Sequence, residues 1–354
     1  MIFDSVATCI GSFPHLDPRA ACDFLLAALP DCPAWPQLPM RSYRESMYAQ
    51  YAASLPGARI DEAAGRTTLD LSAGADDQLA SFFEAALSDA PSGFEPRRED
   101  AAGYHAFLER LNAPGAPTGP LVKGHVTGPI SFGLTVTRPD GRAVFYDDTL
   151  RDVVIHGLAA QARAQTRALA ATGRAAVLFV DEPYLSSYGS ATVPLSSQEV
   201  VESLTTVTDA VKAAGGIPGV HCCGNTDWSL LFSSSAEIVN FDAYSYLDTM
   251  ALYPEALGAF LERGGTLAWG VVPTDSALLE SETAESLLAR LQGGMERLAA
   301  SGVPLGALRR SFLVTPSCGT GTLSEHLAER AVRLAAEVAA RMRGASPKGS
   351  AQAS

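Results

Sequence analysis

Short apolar or β-branched runs recur along this chain, and most are separated by stretches in which apolar residues return every three or four positions. The runs that read as strands are Val6 to Ile10, Thr67 to Leu71, Leu121 to Val126, Ala175 to Val180, Ile217 to His221, Ile238 to Asp242, Thr266 to Val271 and Phe312 to Thr315. Helical spacing covers 18–29, 76–88, 99–112, 149–172, 197–214, 251–263, 283–301 and 324–342. It is clearest where Leu150, Val153, Val154, Leu158 and Ala162 fall at i, i+3, i+4, i+8 and i+12. Eight strands alternating with helices predict parallel βαβ units, and eight such units close a (β/α)8 TIM barrel, an α/β fold in one domain over residues 1–343. An open doubly wound sheet has a similar local pattern, but the G-x-G-x-x-G turn expected after its first strand is absent. The stretch 344–354, rich in Gly, Ser, Pro and Ala, is expected to be a disordered tail.

Composition narrows the function classes. Hydrophobic residues make up 47% of the 354 positions and charged residues 18%, as in a globular protein with a large core. The formal net charge of -13, with no concentrated Lys/Arg face, argues against nucleic acid as a partner. No apolar run reaches the roughly 18 to 20 residues of a membrane span. The start Met1-Ile2-Phe3-Asp4 lacks a basic segment followed by an apolar one, so the expectation is a cytoplasmic protein away from membranes. Six cysteines, unevenly spread, are too few for a disulfide framework in a chain of this size, which leaves structural thiols or metal ligands.

The unusual residues sit at the carboxyl ends of predicted strands, the ends that form one catalytic face in a barrel. His221-Cys222-Cys223 follows the fifth and Cys318, in a Pro-x-Cys-Gly turn, follows the eighth. Residues two apart in an extended segment point the same way, so His221 and Cys223 can face one ion, with Cys222 turned away and Cys318 closing the set. Two thiolates and an imidazole favour Zn2+, and three protein ligands leave a position open. A zinc already neutralised by two thiolates suits the activation of another sulfur for alkyl transfer better than hydrolysis. Asp181-Glu182 exits the fourth strand, where a carboxylate can hold an ammonium group, carry a proton or cap a helix. The Ile10-Gly11-Ser12 turn offers backbone N–H groups for a carboxylate.

Together Thr8 to Pro14, Gly128-Pro129, Asp181-Glu182-Pro183, His221-Cys222-Cys223, Ile238 to Asp242 and Pro316-Ser317-Cys318-Gly319 resemble the catalytic barrel of cobalamin-independent methionine synthases, in the superfamily that also holds uroporphyrinogen decarboxylase. The resemblance spans nearly the whole chain and implies zinc held by His221, Cys223 and Cys318. Asp242 stands where the family has a fourth, glutamate ligand. It further implies that Ile10, Gly11 and Ser12 hold the substrate carboxylate and that Asp181 contacts the amine. A family glutamate on the amine should fall near 38–45, where Glu45 is the available carboxylate and a basic residue, Arg41, takes its place in alignment. An Arg41 facing the pocket would suit an anionic thiol such as a sulfonate.

The function expected is methyl transfer to a zinc-activated thiol, homocysteine giving methionine, from methyl-folate or a methylated corrinoid protein. His125, near the third strand exit, is the candidate for proton delivery to the leaving group; the alternative is a histidine satisfied by local backbone. The competing readings are methylation of another thiol such as coenzyme M, a metal-free decarboxylase of tetrapyrrole side chains, and a non-catalytic barrel that binds a methyl acceptor or a corrinoid partner.

Overall fold

A computed structural model describes residues 3–71, 75–89, 92–116, 119–191 and 193–345. Its strands are β1 (Val6–Ala7), β2 (Ala58–Asp61), β3 (Arg66–Leu69), β4 (Leu121–Thr127), β5 (Ala175–Asp181), β6 (Ile217–Cys222), β7 (Ile238–Phe241), β8 (Thr266–Val272) and β9 (Phe312–Pro316). Seven of them form one curled parallel sheet in the order β1-β9-β8-β7-β6-β5-β4. Helices are interspersed along the chain between most consecutive members of that sheet. β4 and β8 are buried at every position; β8 accordingly reads as a nearly continuous apolar run, whereas β4 carries Lys123 and His125 into the interior. One small core fills the inside of the curl, with Val6, Leu121, Val177, Phe179, Ile238 and Leu313 among its members, and a larger one packs the helices onto the outside.

The helical periodicity corresponds to helices in every predicted stretch, and several of them open on a side-chain cap. Ser197–Ala213 opens on a capping box between Ser196 and Glu199, and Asp148–Ala170 opens on the Asp147 carboxylate. The last helix, Glu325–Ala345, runs through Gly344, and the remainder of the expected tail, 346–354, lies outside the described residues. None of the described helices is long and apolar enough to cross a membrane.

The predicted second strand needs correction. Residues 66–69 pair antiparallel with Ala58–Asp61 in a hairpin apart from the main sheet, and their alternating burial is that of a ribbon covered on one face. Between β1 and β4 lies instead the segment from Asp31 to Gln37. Leu121 and Lys123 donate to Asp31 O and Pro33 O at 3.2 and 2.8 Å, and Trp35 N–H returns a bond to Lys123 O at 3.2 Å. On its other side Gln37 N–H reaches Gly11 O at 2.9 Å and its carbonyl accepts from Phe13 N–H at 2.8 Å. Pro33 and Pro36 have no N–H to give, so this segment joins both edges through isolated bridges rather than a regular ladder.

Candidate metal and thiol site

The carboxyl ends of β5, β6 and β9, together with the turn after β1, surround a cavity of about 400 Å³. Its wall includes Ile10, Ser12, Asp181, His221, Cys223 and Cys318, gathered from distant parts of the chain. Parallel pairing of β5 with β6 sets Asp181 beside His221. Cys318 arrives on the loop past β9, where Gly319 and Gly321 leave room for Ser12: a Cβ on Gly321 would lie 2.0 Å from the Ser12 hydroxyl.

The ligand atoms of His221, Cys223 and Cys318 all lie within 4.8 Å of one another, and this is the only such His/Cys/Asp/Glu group among the described residues. A tetrahedral zinc with Zn–S near 2.3 Å needs its ligands about 3.5 to 3.8 Å apart, so the set fits that ion with a small contraction. Cys223 is a ready thiolate: a hydrogen bond from the Cys318 thiol pulls its pKa down, burial opposes, and His221 adds to the lowering. Cys318 correspondingly keeps its proton, raised by that same hydrogen bond and by burial. Burial works against a charged His221, but Cys223, Asp181 and Asn240 outweigh it and raise its pKa. A cation entering here replaces protons already crowded among three donors.

Asn240, which the sequence reading did not single out, determines which ring nitrogen is available. Its amide nitrogen donates to Ala268 O and to Thr315 Oγ1, both at 2.9 Å, so its oxygen is left to accept from His221 Nδ1. Nδ1 therefore carries a proton, which leaves Nε2 as the nitrogen that a metal would take once its own proton is displaced. A polar residue inside Ile238–Phe241, buried throughout, was the signal available.

Asp181 lines the same cavity, and its Oδ1 is buried without a hydrogen-bond partner. Burial raises its pKa to about 6, against the pull of His221 and Lys123 and with some help from Cys223. Glu182 instead does the capping: it accepts from Ile130 N–H, Ser131 N–H and the Ser131 hydroxyl at 3.0, 2.7 and 2.6 Å, at the start of the helix Pro129–Thr135. Gly128 makes that approach feasible, since a Cβ there would fall 2.1 Å from the Glu182 carboxyl carbon. Cys222 is buried facing away from the cluster, its thiol donating to Gly224 O at 3.5 Å.

Four expected site residues are absent from the cavity wall: Gly11, between the lining residues Ile10 and Ser12, and Asp242, Glu45 and His125. Asp242 is outside the donor cluster, its carboxylate accepting from Ser245 N–H at 2.9 Å. Glu45 is buried and paired with Arg41 Nε at 2.7 Å. That guanidinium also donates to Leu16 O at 2.9 Å, and no Lys or Arg belongs to the wall, so the condition for a sulfonate thiol is not met. His125 lies under Gly11, its ring stacked on Trp35 at 3.8 Å, with both nitrogens buried and unpartnered. Burial and then Lys123 push its pKa well below the usual histidine value, which disfavours the imidazolium that proton delivery would use, and the ring is absent from the cavity wall. Neither part of the sequence expectation for it holds, because local backbone does not satisfy it either. It occupies the space a side chain on Gly11 would need, 2.3 Å from that position, and Gly11 has a φ of +143° that only glycine adopts freely.

Comparison with known proteins places this geometry. No curated protein matches the chain by sequence. Among solved structures, a B12-independent methionine synthase from Shewanella sp. W3-18-1, in complex with selenomethionine, superposes with a TM-score of 0.58 over 97% of this chain and 98% of its own, at 14% identity. At that identity the likeness concerns the fold. The sequence profile described as "Cobalamin-independent synthase, Catalytic domain" matches residues 108–341, a segment that includes every cluster residue from Asp181 to Cys318. With about two thirds of its length inside that profile, the chain belongs to the cobalamin-independent synthase catalytic-domain family.

Proposed function

We propose that this protein is a zinc-dependent methyltransferase acting on the thiol of homocysteine to give methionine, with methyl-folate or a methylcorrinoid protein as donor. The observation that carries the reading is the meeting, in one cavity, of the His221, Cys223 and Cys318 donors with the Asp181 carboxylate. The seven-stranded sheet, bridged at both edges by Asp31 to Gln37, is read as a (β/α)8 barrel whose eighth stave is that segment.

His221 Nε2 and the two sulfurs would hold Zn2+, which when bound stabilises a coordinated thiolate and so makes a sulfur nucleophile available at neutral pH. The rest of the site positions the substrate. The Asp181 carboxylate, which lines the cavity, accepts from its ammonium group. The N–H groups of the Ile10-Gly11-Ser12 turn, whose Ile10 and Ser12 line the cavity, receive its carboxylate. Those two anchors leave the side chain directed toward the cysteines. Methyl transfer then forms S–CH3 as the donor's N–CH3 bond (methyl-folate) or Co–CH3 bond (methylcorrinoid) breaks, the bonding pair staying on the departing folate nitrogen or cobalt; the thiol proton goes to that nitrogen or to solvent. The Shewanella structure, solved with selenomethionine, supports an amino acid as the ligand class. A tetrapyrrole decarboxylase is disfavoured because the wall offers an anionic macrocycle no cationic side chain.

The test has two steps. Purified, unchelated protein is expected to contain about one zinc per chain, lost in Cys223→Ser and Cys318→Ser. Zinc-loaded protein is then offered homocysteine or coenzyme M with methylcobalamin or methyl-folate in a single turnover, and methionine is the product expected. Metal content well below one zinc and indifferent to both substitutions would refute the metal site; failure of every donor and thiol combination would refute the transferase.

A further inference from the structure

Lys123 lies in the middle of β4, fully buried inside the curled sheet and absent from the cavity wall. A buried amine is costly unless it is well partnered. Lys123 Nζ donates to the Ile10 carbonyl at 2.6 Å and sits 4.2 Å from the centroid of the Phe179 ring. The lysine therefore grips the Ile10-Gly11-Ser12 turn from below. Burial lowers its pKa and Asp181 acts against that, but the nitrogen is a donor in either protonation state.

A trans peptide points its carbonyl and its N–H in opposite directions. In this turn every carbonyl is tied. Ile10 O is held by Lys123, Gly11 O by Gln37 N–H at 2.9 Å, and Ser12 O by Thr320 through its N–H at 2.9 Å and its hydroxyl at 3.0 Å. The N–H groups of Gly11 and Ser12 have no acceptor among the described residues. Of the three ties, only the one on Ile10 comes from an amine. Donation to a carbonyl also polarises the whole peptide, which makes the Gly11 N–H a stronger donor on its far side.

On the reading that the substrate is an amino-acid thiol, we infer that Lys123 is a positioning residue for its carboxylate: from inside the sheet it fixes and polarises the Ile10-Gly11 peptide, and so aims the Gly11 N–H at a substrate it never touches. The remaining anchor, Asp181, is addressed to the amine and is independent of it.

The test compares homocysteine with homocysteamine, which keeps the thiol and the amine but lacks the carboxylate. Binding to wild type, Lys123→Met and Lys123→Gln is measured by calorimetry on zinc-loaded protein, with circular dichroism melts to confirm folding. Wild type is expected to prefer homocysteine by about 100-fold, on the order of one strong pair of hydrogen bonds to a charged group. Lys123→Met should reduce that preference to about 10-fold or less through homocysteine alone, raising its KM with kcat within about 2-fold, and Lys123→Gln should restore part of it. A Lys123→Met protein that methylates homocysteine with the wild-type preference overturns the inference and leaves the proposed function standing. Wild type that binds neither thiol overturns both. If Lys123→Met does not fold, Lys123→Gln carries the comparison, and a wild-type preference near unity overturns the inference without any variant.

Discussion

Replacing Asn240 tests whether the imidazole of the donor cluster is prepared for a metal by its neighbour. Asn240 is fully buried and makes three hydrogen bonds, donating to Ala268 O and Thr315 Oγ1 and accepting from His221 Nδ1. Asn240→Leu keeps the volume and removes all three. Each buried group left without a partner costs about 1–3 kcal/mol, and Thr315 can rotate toward another acceptor, so a loss of about 2–5 kcal/mol in urea-melt stability is expected. Loss of the partner that orients a metal-binding imidazole typically weakens the metal by about 10–100-fold. Asn240→Asp separates the two effects. A carboxylate still accepts from Nδ1 and preserves the tautomer, but it can no longer donate to Ala268 O. It should therefore bind zinc within about 3-fold of wild type while losing about 1–3 kcal/mol of stability. The assay is competition against a chromophoric chelator on reduced protein, with melts in parallel. Zinc affinities that track stability in both variants, or a Leu variant that binds zinc as wild type does, would refute the tautomer argument.

Further expectations concern charge and wiring. The Asp181 carboxyl holds its proton more tightly folded, at about 6, than the ordinary 3.8, so its contribution to stability is complete below about 3.8 and is lost as pH rises through about 6. In chelator, Asp181→Asn should therefore gain on wild type across that window and run parallel above it; parallel curves throughout would contradict the burial. Arg41→Ala strands the buried Glu45 carboxylate and should destabilise the chain by about 1–3 kcal/mol without altering the homocysteine to coenzyme M ratio in single-turnover assays, whereas a changed ratio would return Arg41 to the pocket. Cys222→Ala should leave zinc content by elemental analysis unchanged and Cys223→Ala should abolish it; equal losses would mean that the strand presents the wrong cysteine.

The site was more legible than the wall that completes it. His221, Cys223 and Cys318 could be read because strand ends and two-residue spacing constrain where such side chains go, and their rarity made them conspicuous. The bridging segment at 31–37 escaped because Pro33 and Pro36 suppress every strand signal, while Thr67 to Leu71 carried strand propensity into a separate two-stranded ribbon. Asn240 and Lys123 were visible as polar interruptions of buried strands, yet their partners lie on other strands and depend on register that no local pattern encodes. The same holds for His125. Its position near a strand exit suggested a proton carrier, and only the packing against Trp35 and Gly11 shows a neutral ring used as a spacer.

Gln37 belongs at once to the bridge between the sheet edges and to the cavity wall. Its backbone bonds Gly11 and Phe13, and its side-chain nitrogen donates to Gln50 at 3.0 Å, which in turn donates to Asp100 O at 2.7 Å. Unzipping that seam would dismantle part of the pocket wall, so a ligand seated there should hold the two sides of the seam together. Amide exchange at Gln37 and Phe13 should slow on occupancy more than exchange in β5 or β6, and binding would then be readable as closure of the molecule itself.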